Sequence, residues 1–223
     1  MNKIYEIFGN LQIFIQLLLW TLIFYWIDFE LFTYILNNNP YIKILVGIII
    51  LSCQLFLFQF LYCLIKVDSI FGKDDGNELQ NISEKTDFTS CKKCNILRPK
   101  RAHHCRACNK CILEMDHHCF TLNKCIGKEN YDFFIKYIIM IELNSIYIFW
   151  ITLYVCINYY SNVKLAGLIK YGILIFVSFM SSCGLFFYLM FHIYLYLADL
   201  TTVEFLYPNL RVDANKIIKN EIK

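Results

Sequence analysis

The sequence predicts an all-α membrane protein of four transmembrane helices, interrupted between the second and third by a polar, cysteine-rich insert. Three observations predict it. Hydrophobic residues fill 58% of the 223 positions, where a soluble domain holds about 45–50%. Only 8 Gly and 3 Pro punctuate them, so the elements run long. Seven of the 11 cysteines fall between Cys91 and Cys125. This composition excludes a disordered tail, a collagen-like fibre and an ordinary soluble enzyme.

A membrane-spanning helix needs about 20 mostly apolar residues. Four windows supply them: Leu11–Ile27, ended by Asp28 and Glu30; Ile44–Ile65, after the break at Asn37-Asn38-Asn39-Pro40; Phe133–Ile157; and Tyr171–Leu197. Each is apolar all round, whereas a core helix of a soluble protein keeps a polar face. No small-x-small cleavage site follows the first window, so it reads as a retained span and not a signal peptide. The organisation that follows is helices 1 and 2 in residues 1–65, the insert in 66–131 with its core in 91–125, helices 3 and 4 in 132–197, and a short tail in 198–223.

Orientation follows from Lys and Arg, which accumulate on the cytosolic side. The N-terminal segment, the insert, the start of the third span and the tail carry 18 of the 21; the opposite loops carry only Lys43, Lys164 and Lys170. The insert and both termini are therefore expected in the cytosol. Glu142, Asn144 and His192 fall inside spans, where polar groups are costly and face an interior. The reading for Glu142 and Asn144 is an interhelical hydrogen bond or a cavity lining. His192 reads as a packed or hydrogen-bonded histidine.

Cys53, Cys63, Cys156 and Cys183 lie in spans and read as small packing residues. The clustered seven lie in a reducing compartment, which argues against disulfides and for zinc. Their spacing agrees. Cys91-x2-Cys94-x9-His104-x6-Cys111 is one set, and Cys105-x2-Cys108-x9-His118-x6-Cys125 repeats it 14 residues on. Three thiolates and one imidazole close a tetrahedral Zn²⁺ site. The second set starts before the first ends, so the two interlock. His103 and His117 are also 14 apart and fit the repeat equally well. So small a segment has few large apolar residues and needs such staples to fold. Four protein ligands per ion leave no open position, which makes both metals structural.

Cys119 is the one clustered cysteine left over. It follows Asp116 and His117. An imidazole beside a thiol takes its proton and favours the thiolate, and a carboxylate fixes the imidazole's tautomer. The alternative is a spare zinc ligand. From Cys91 to Cys111 there are seven basic residues and no acidic ones. They suit anionic headgroups or a phosphate-bearing cofactor, for which Arg98, Lys100, Arg101 and Arg106 are the candidates. A nucleophilic thiol beside a membrane and a polyanion site suits acyl transfer between thiols, which is nearly thermoneutral.

Asp116-His117-His118-Cys119 within this segment resembles the DHHC protein S-acyltransferases, or palmitoyltransferases. The likeness extends over Cys91-x2-Cys94, Arg98-Pro99-x-Arg101, His104-Cys105-x2-Cys108-x2-Cys111 and Cys119-x5-Cys125-x-Gly127-x2-Asn130, with Phe134 beyond. Thr201-Thr202-Val203-Glu204 is similar to the family's TTxE motif, and the four-span plan with a cytosolic insert is also shared. The resemblance implies that His117, oriented by Asp116, deprotonates Cys119. The thiolate then takes a long-chain acyl group, palmitoyl by expectation, from acyl-CoA and passes it to a cysteine of a membrane-proximal protein. It implies His104 and His118 as zinc ligands, basic residues of the insert against the CoA phosphates, and a tent-like cavity of four helices, lined in part by the third, for the acyl chain. Partners are then acyl-CoA, the bilayer, protein substrates and an accessory subunit in some cases, with no nucleic acid. The chain departs from the family at Phe120-Thr121, where Pro-Trp is usual, and at Asp74-Asp75-Gly76, where Asp-Pro-Gly is common. Tyr207-Pro208-Asn209 is a faint copy of a C-terminal aromatic/Asn motif. Two alternatives are a non-catalytic zinc scaffold at the membrane and a RING-type ligase. The RING fails because nothing after Cys111 supplies its closing Cys-x2-Cys.

Overall fold

The computed structural model describes residues 40–71, 88–159 and 165–210. The predicted first span, the Asn37-Asn38-Asn39 break, Asp74-Asp75-Gly76 and the tail beyond Leu210 lie outside the described residues. The chain forms two compact units: residues 64–132 together with 193 onward, and the helical residues up to 63 together with 133–192.

Among the described residues the helical unit has three long helices: α1 (Pro40–Lys66), α2 (Tyr131–Tyr159) and α3 (Leu165–Leu197). They occupy the second, third and fourth predicted spans. By length and composition α2 and α3 can each cross a membrane, and α1 is a 27-residue helix over the second predicted window. Two helices among the described residues thus qualify as candidate spans, and the first predicted window lies outside those residues.

Buried positions on α2 fall at Phe134, Ile138, Glu142, Asn144, Ser145, Ile148, Thr152 and Val155. Asn144 apart, steps of three and four make one stripe along a 3.6-residue helix. That stripe faces α3 in antiparallel order. Val155 and Tyr171 share a cluster, Ile148 packs on Leu174, and the Phe134 ring lies 5.3 Å from that of His192. Two polar residues on these positions are satisfied along their own helix: Thr152 donates to Ile148 O at 2.7 Å and Asn144 Nδ2 to Met140 O at 2.7 Å. A third bond crosses between helices, where Ser182 Oγ donates to Glu142 Oε1 at 2.8 Å, and Ser145 Oγ is buried with no partner among the described residues. Glu142 therefore makes the expected interhelical bond. Asn144 bonds within its helix. The outer face of α3 leaves Ile173, Phe176, Phe187 and Leu197 exposed, as suits contact with lipid.

The insert departs from the predicted all-α class. Among the described residues it holds six short strands in three antiparallel hairpins: β1 (Phe88–Cys91) with β2 (Ile96–Pro99), β3 (His103–Cys105) with β4 (Lys110–Ile112), and β5 (His117–Cys119) with β6 (Lys124–Ile126). The reason is the Cys-x2-Cys spacing, which needs a tight turn to bring two sulfurs to one point. Each hairpin turns through an asparagine at positive φ: Asn95 at 56°, Asn109 at 54° and Asn123 at 47°. Asn tolerates this left-handed region better than other residues with a Cβ.

Residues 67–71 lie along the second hairpin. Leu113 N donates to Ser69 O at 2.8 Å, Phe71 N donates to Cys111 O at 2.9 Å, and Ile70 bridges Ile112. Asn130, fully buried, uses its whole amide: Nδ2 donates to Val67 O and Cys125 O, and Oδ1 accepts from Gly127 N and Ser69 Oγ. Gly127 has no room for a Cβ, which would sit 2.6 Å from Leu113 O. The cysteine-rich unit also holds a short helix, α4 (Thr202–Leu206).

Candidate active site and metal centres

The hairpins bring eight residues into two donor sets. Cys91, Cys94, His104 and Cys111 form one, and Cys105, Cys108, His118 and Cys125 the other; within each, the ligand atoms lie within 4.8 Å of one another. Tetrahedral zinc with bonds of about 2.3 Å to sulfur and 2.0–2.1 Å to nitrogen implies S–N edges of about 3.6 Å. The Sγ–Nδ1 distances are 3.7 Å and 3.2 Å in the first set, and 3.7, 3.4 and 3.5 Å in the second. Backbone N–H groups of Cys94 and Cys108 each reach the preceding cysteine's Sγ at 3.4 Å, as suits a thiolate.

Proton affinities carry the same message. Hydrogen bonds from Cys108 and Cys125 push the Cys105 thiol down, while Cys125 is pushed up chiefly by its contacts with Cys105 and Cys108. Burial pushes Cys111 up to about 12. Four donors so crowded share protons when nothing positive lies between them, and a dication relieves that conflict. The residues fit Zn²⁺. Of the two histidine pairs that the spacing allows, His104 and His118 lie in these groups and His103 and His117 do not.

Cys119 stands outside both sets. His117 Nδ1 binds Asp116 Oδ2 at 2.7 Å, and His117 also hydrogen-bonds Cys119. Thr121 Oγ1 is 3.0 Å from Cys119 Sγ. Burial works against the charge of each group, and mutual contact outweighs it. Asp116 falls below the usual carboxylate range, His117 rises to about 9, and Cys119 falls below the usual thiol value. The three sequence-predicted residues are thus one hydrogen-bonded line. It can hold a thiolate against an imidazolium, with a carboxylate behind.

Asp116 is 2% exposed and is held from the C-terminal side of the chain. Thr202 N donates to Asp116 Oδ1 and Thr202 Oγ1 to Oδ2, both at 2.8 Å. Thr201-Thr202-Val203-Glu204 explains how. Thr201 Oγ1 accepts from Glu204 N while Glu204 Oε2 accepts from Thr201 N, a capping box that starts α4. The unused N–H of the first helical residue is then free for Asp116. Glu204 is itself clamped by Arg101, with Nε to Oε1 at 2.8 Å and Nη2 to Oε2 at 2.9 Å. Arg101 also reaches Asp199 Oδ1 and O, both at 3.2 Å.

That clamp was not legible in the sequence, which assigned Arg101 to phosphate. Its signal was an Arg and a Glu on two motifs 103 residues apart. The other basic candidates are differently placed. Among the described residues, Arg98 Nε and Nη1 and His103 Nε2 are buried with no hydrogen-bond partner. Lys100 is half-buried and Arg106 exposed. A cavity of about 200 Å³ opens beside Asp116, Arg101 and Thr201. Cys119 does not line it.

A family model described as DHHC palmitoyltransferase matches residues 84–209, more than half of the chain. The chain belongs to this family. The matched residues hold both donor sets, the Asp116–His117–Cys119 line and the Thr201–Glu204 box, so the palmitoyltransferase match and the geometry coincide. The family is one of membrane proteins, in keeping with the apolar α2 and α3. No curated protein matches the chain.

Proposed function

We propose that this chain is a protein S-acyltransferase that moves a long-chain acyl group, palmitoyl by preference, from acyl-CoA to cysteines of membrane-proximal proteins through a thioester on Cys119. The observation that carries this is the line Asp116–His117–Cys119, in which the one clustered thiol outside the two donor sets is bonded to an imidazole held at 2.7 Å by a buried carboxylate.

In the first half-reaction His117 takes the Cys119 proton. The thiolate attacks the thioester carbonyl, the new carbon–sulfur bond forms, and the bond to CoA breaks. His117 returns the proton to the departing CoA sulfur. In the second half the acceptor cysteine, deprotonated by His117, attacks the same carbonyl and Cys119 leaves as thiolate. Asp116 keeps Nδ1 of His117 protonated and stabilises the imidazolium in both. Thr202 and the Arg101–Glu204 clamp hold Asp116.

Zn²⁺ bound by Cys91, Cys94, His104 and Cys111 and by Cys105, Cys108, His118 and Cys125 supplies folding energy to the hairpins. The buried, unpartnered N–H groups of Arg98 and His103 suit a CoA phosphate, with Lys100 and Arg106 adding charge. Arg101 belongs instead to the tail clamp. Gly127 and Asn130 are structural, holding the third hairpin to residues 67–69. We further propose the four-span arrangement, with spans in 1–65 and 132–197, a cytosolic insert in 66–131 and cytosolic ends including the tail 198–223. The spans rest on the four apolar windows and their orientation on the distribution of Lys and Arg.

Purified protein incubated with radiolabelled palmitoyl-CoA is expected to take a hydroxylamine-labile label that Cys119→Ser abolishes. Removing the base by His117→Ala is expected to slow labelling by about 10²–10⁴-fold. An unlabelled wild type, or equal label on Cys119→Ser, overturns the reading in favour of a non-catalytic zinc scaffold.

A further inference from the structure

Cys119 has a neighbour that neither the spacing nor the family pattern assigns. Thr121 Oγ1 lies 3.0 Å from Cys119 Sγ. The direction of this bond follows from counting protons. Sulfur carries one at most, and His117, whose Nδ1 is committed to Asp116, takes it with its other nitrogen. Whether the proton sits on sulfur or on imidazole, the sulfur has none left to give, so the Thr121 hydroxyl donates.

The equivalent sulfurs of the other hairpins lack this donor. Cys91 and Cys105 occupy the same position at the end of a first strand, and each accepts a backbone N–H three residues on. Two residues after them stand Lys93 and Ala107, neither of which has a hydroxyl. The donor thus appears only beside the sulfur that joins no donor set. The family usually has Trp at this position, so the contact is a feature of this chain.

We propose that Thr121 is a further catalytic residue, whose hydroxyl donates to Cys119 Sγ, fixes the sulfur against His117 and stabilises its negative charge as nucleophile and as leaving group. This rests on the acyltransferase reading. It extends the catalytic set from three side chains to four and gives the Phe120-Thr121 departure a chemical role. The same sulfur attacks in the first half-reaction and departs in the second, so both slow when the hydroxyl is lost. The hydroxyl acts on the sulfur, so its loss is expected in kcat and not in KM.

The test uses the full-length protein with Thr121→Val, which keeps the shape and removes the hydroxyl, and Thr121→Ser, which restores it. Zinc content near two ions per chain reports folding in every variant. Thr121→Val is expected to lower kcat for self-acylation by palmitoyl-CoA roughly tenfold, the loss typical of one hydrogen bond to a charged group, with KM unchanged. Thr121→Ser is expected to recover most of that rate. Wild-type rates in Thr121→Val overturn the proposal, and so does a Thr121→Ser as slow as Thr121→Val, since that assigns the effect to side-chain fit. A parallel measurement separates the two readings: iodoacetamide alkylation of the Cys119 peptide, followed by mass spectrometry. If wild type takes no acyl label, the acyltransferase reading falls, and slower alkylation in Thr121→Val but not Thr121→Ser still supports the hydroxyl contact.

Discussion

The second and third hairpins are built on one template and differ in what they do with it. Cys105 and Cys119 both end a first strand, Asn109 and Asn123 both turn at positive φ, and Lys110-Cys111-Ile112 is repeated as Lys124-Cys125-Ile126. The second hairpin pairs Cys105 with Cys108 in a donor set. In the third, Leu122 stands where that partner would be, and the residues that would complete a set 14 positions beyond His118 and Cys125 are Asp132 and Ile139. Cys119 is therefore a cysteine at a zinc-ligand position whose partners are missing. The loss of three partners frees its sulfur for His117 and Thr121. A thiol of a donor set and a thiol bonded to His117 are distinguished here by neighbours, and hardly at all by backbone.

The largest way to break this contrast is to remove a metal. Structural zinc supplies on the order of 10 kcal/mol to such segments. Cys108→Ser is expected to lower bound zinc from about two ions per chain toward one and to abolish acyl labelling, because His118 and Cys125 of that set belong to the third hairpin. Metal analysis beside the labelling assay checks it. Retained labelling with one zinc lost would show that the third hairpin stands without the second.

The third hairpin is held on its other side by protein bonds alone, and these can be broken separately. Glu204 is 2% exposed and bonded by two nitrogens of Arg101. Removing one partner of a buried ion pair leaves the other uncompensated, at a cost of about 3 kcal/mol. Arg101→Gln is expected to lower thermal stability and to slow labelling at least tenfold, while zinc content stays near two. Loss of zinc in this variant would place Arg101 in the metal scaffold and not behind Asp116.

How much of this could be read beforehand depended on the range of each contact. The donor sets were legible because a 14-residue repeat puts all eight ligands in 35 consecutive residues, 91–125. The Asp116–His117–Cys119 line was legible because it is contiguous. The choice between His103 and His104 was not, since adjacent residues on a strand face opposite ways and spacing does not say which faces the sulfurs. The hairpins were missed under an all-α reading, although the repeated Asn-Lys-Cys-Ile at 109–112 and 123–126 signalled a third lap. The Arg101–Glu204 clamp spans 103 residues and needs the topology. Thr121 was noticed only as a departure, because a hydroxyl's reach to a sulfur two residues away depends on the turn.

The smallest expected effect sharpens the comparison most directly, because it perturbs both hairpins alike. Asn109 and Asn123 have φ of 54° and 47°, where a non-Gly residue without a short polar side chain costs about 1 kcal/mol. In the second hairpin the turn is pinned at Cys105 and Cys108 by the donor set. In the third, nothing holds Cys119 and Leu122 to a metal. The same strain should therefore be absorbed in one and move the sulfur in the other. Asn109→Ala is expected to leave labelling within about twofold of wild type, whereas Asn123→Ala slows it about fivefold, the equivalent of roughly 1 kcal/mol. Asn123→Gly, which adopts positive φ at no steric cost, is expected to recover the rate. Equal effects at the two asparagines would mean that the free sulfur is held as firmly by hydrogen bonds as its counterpart is by zinc.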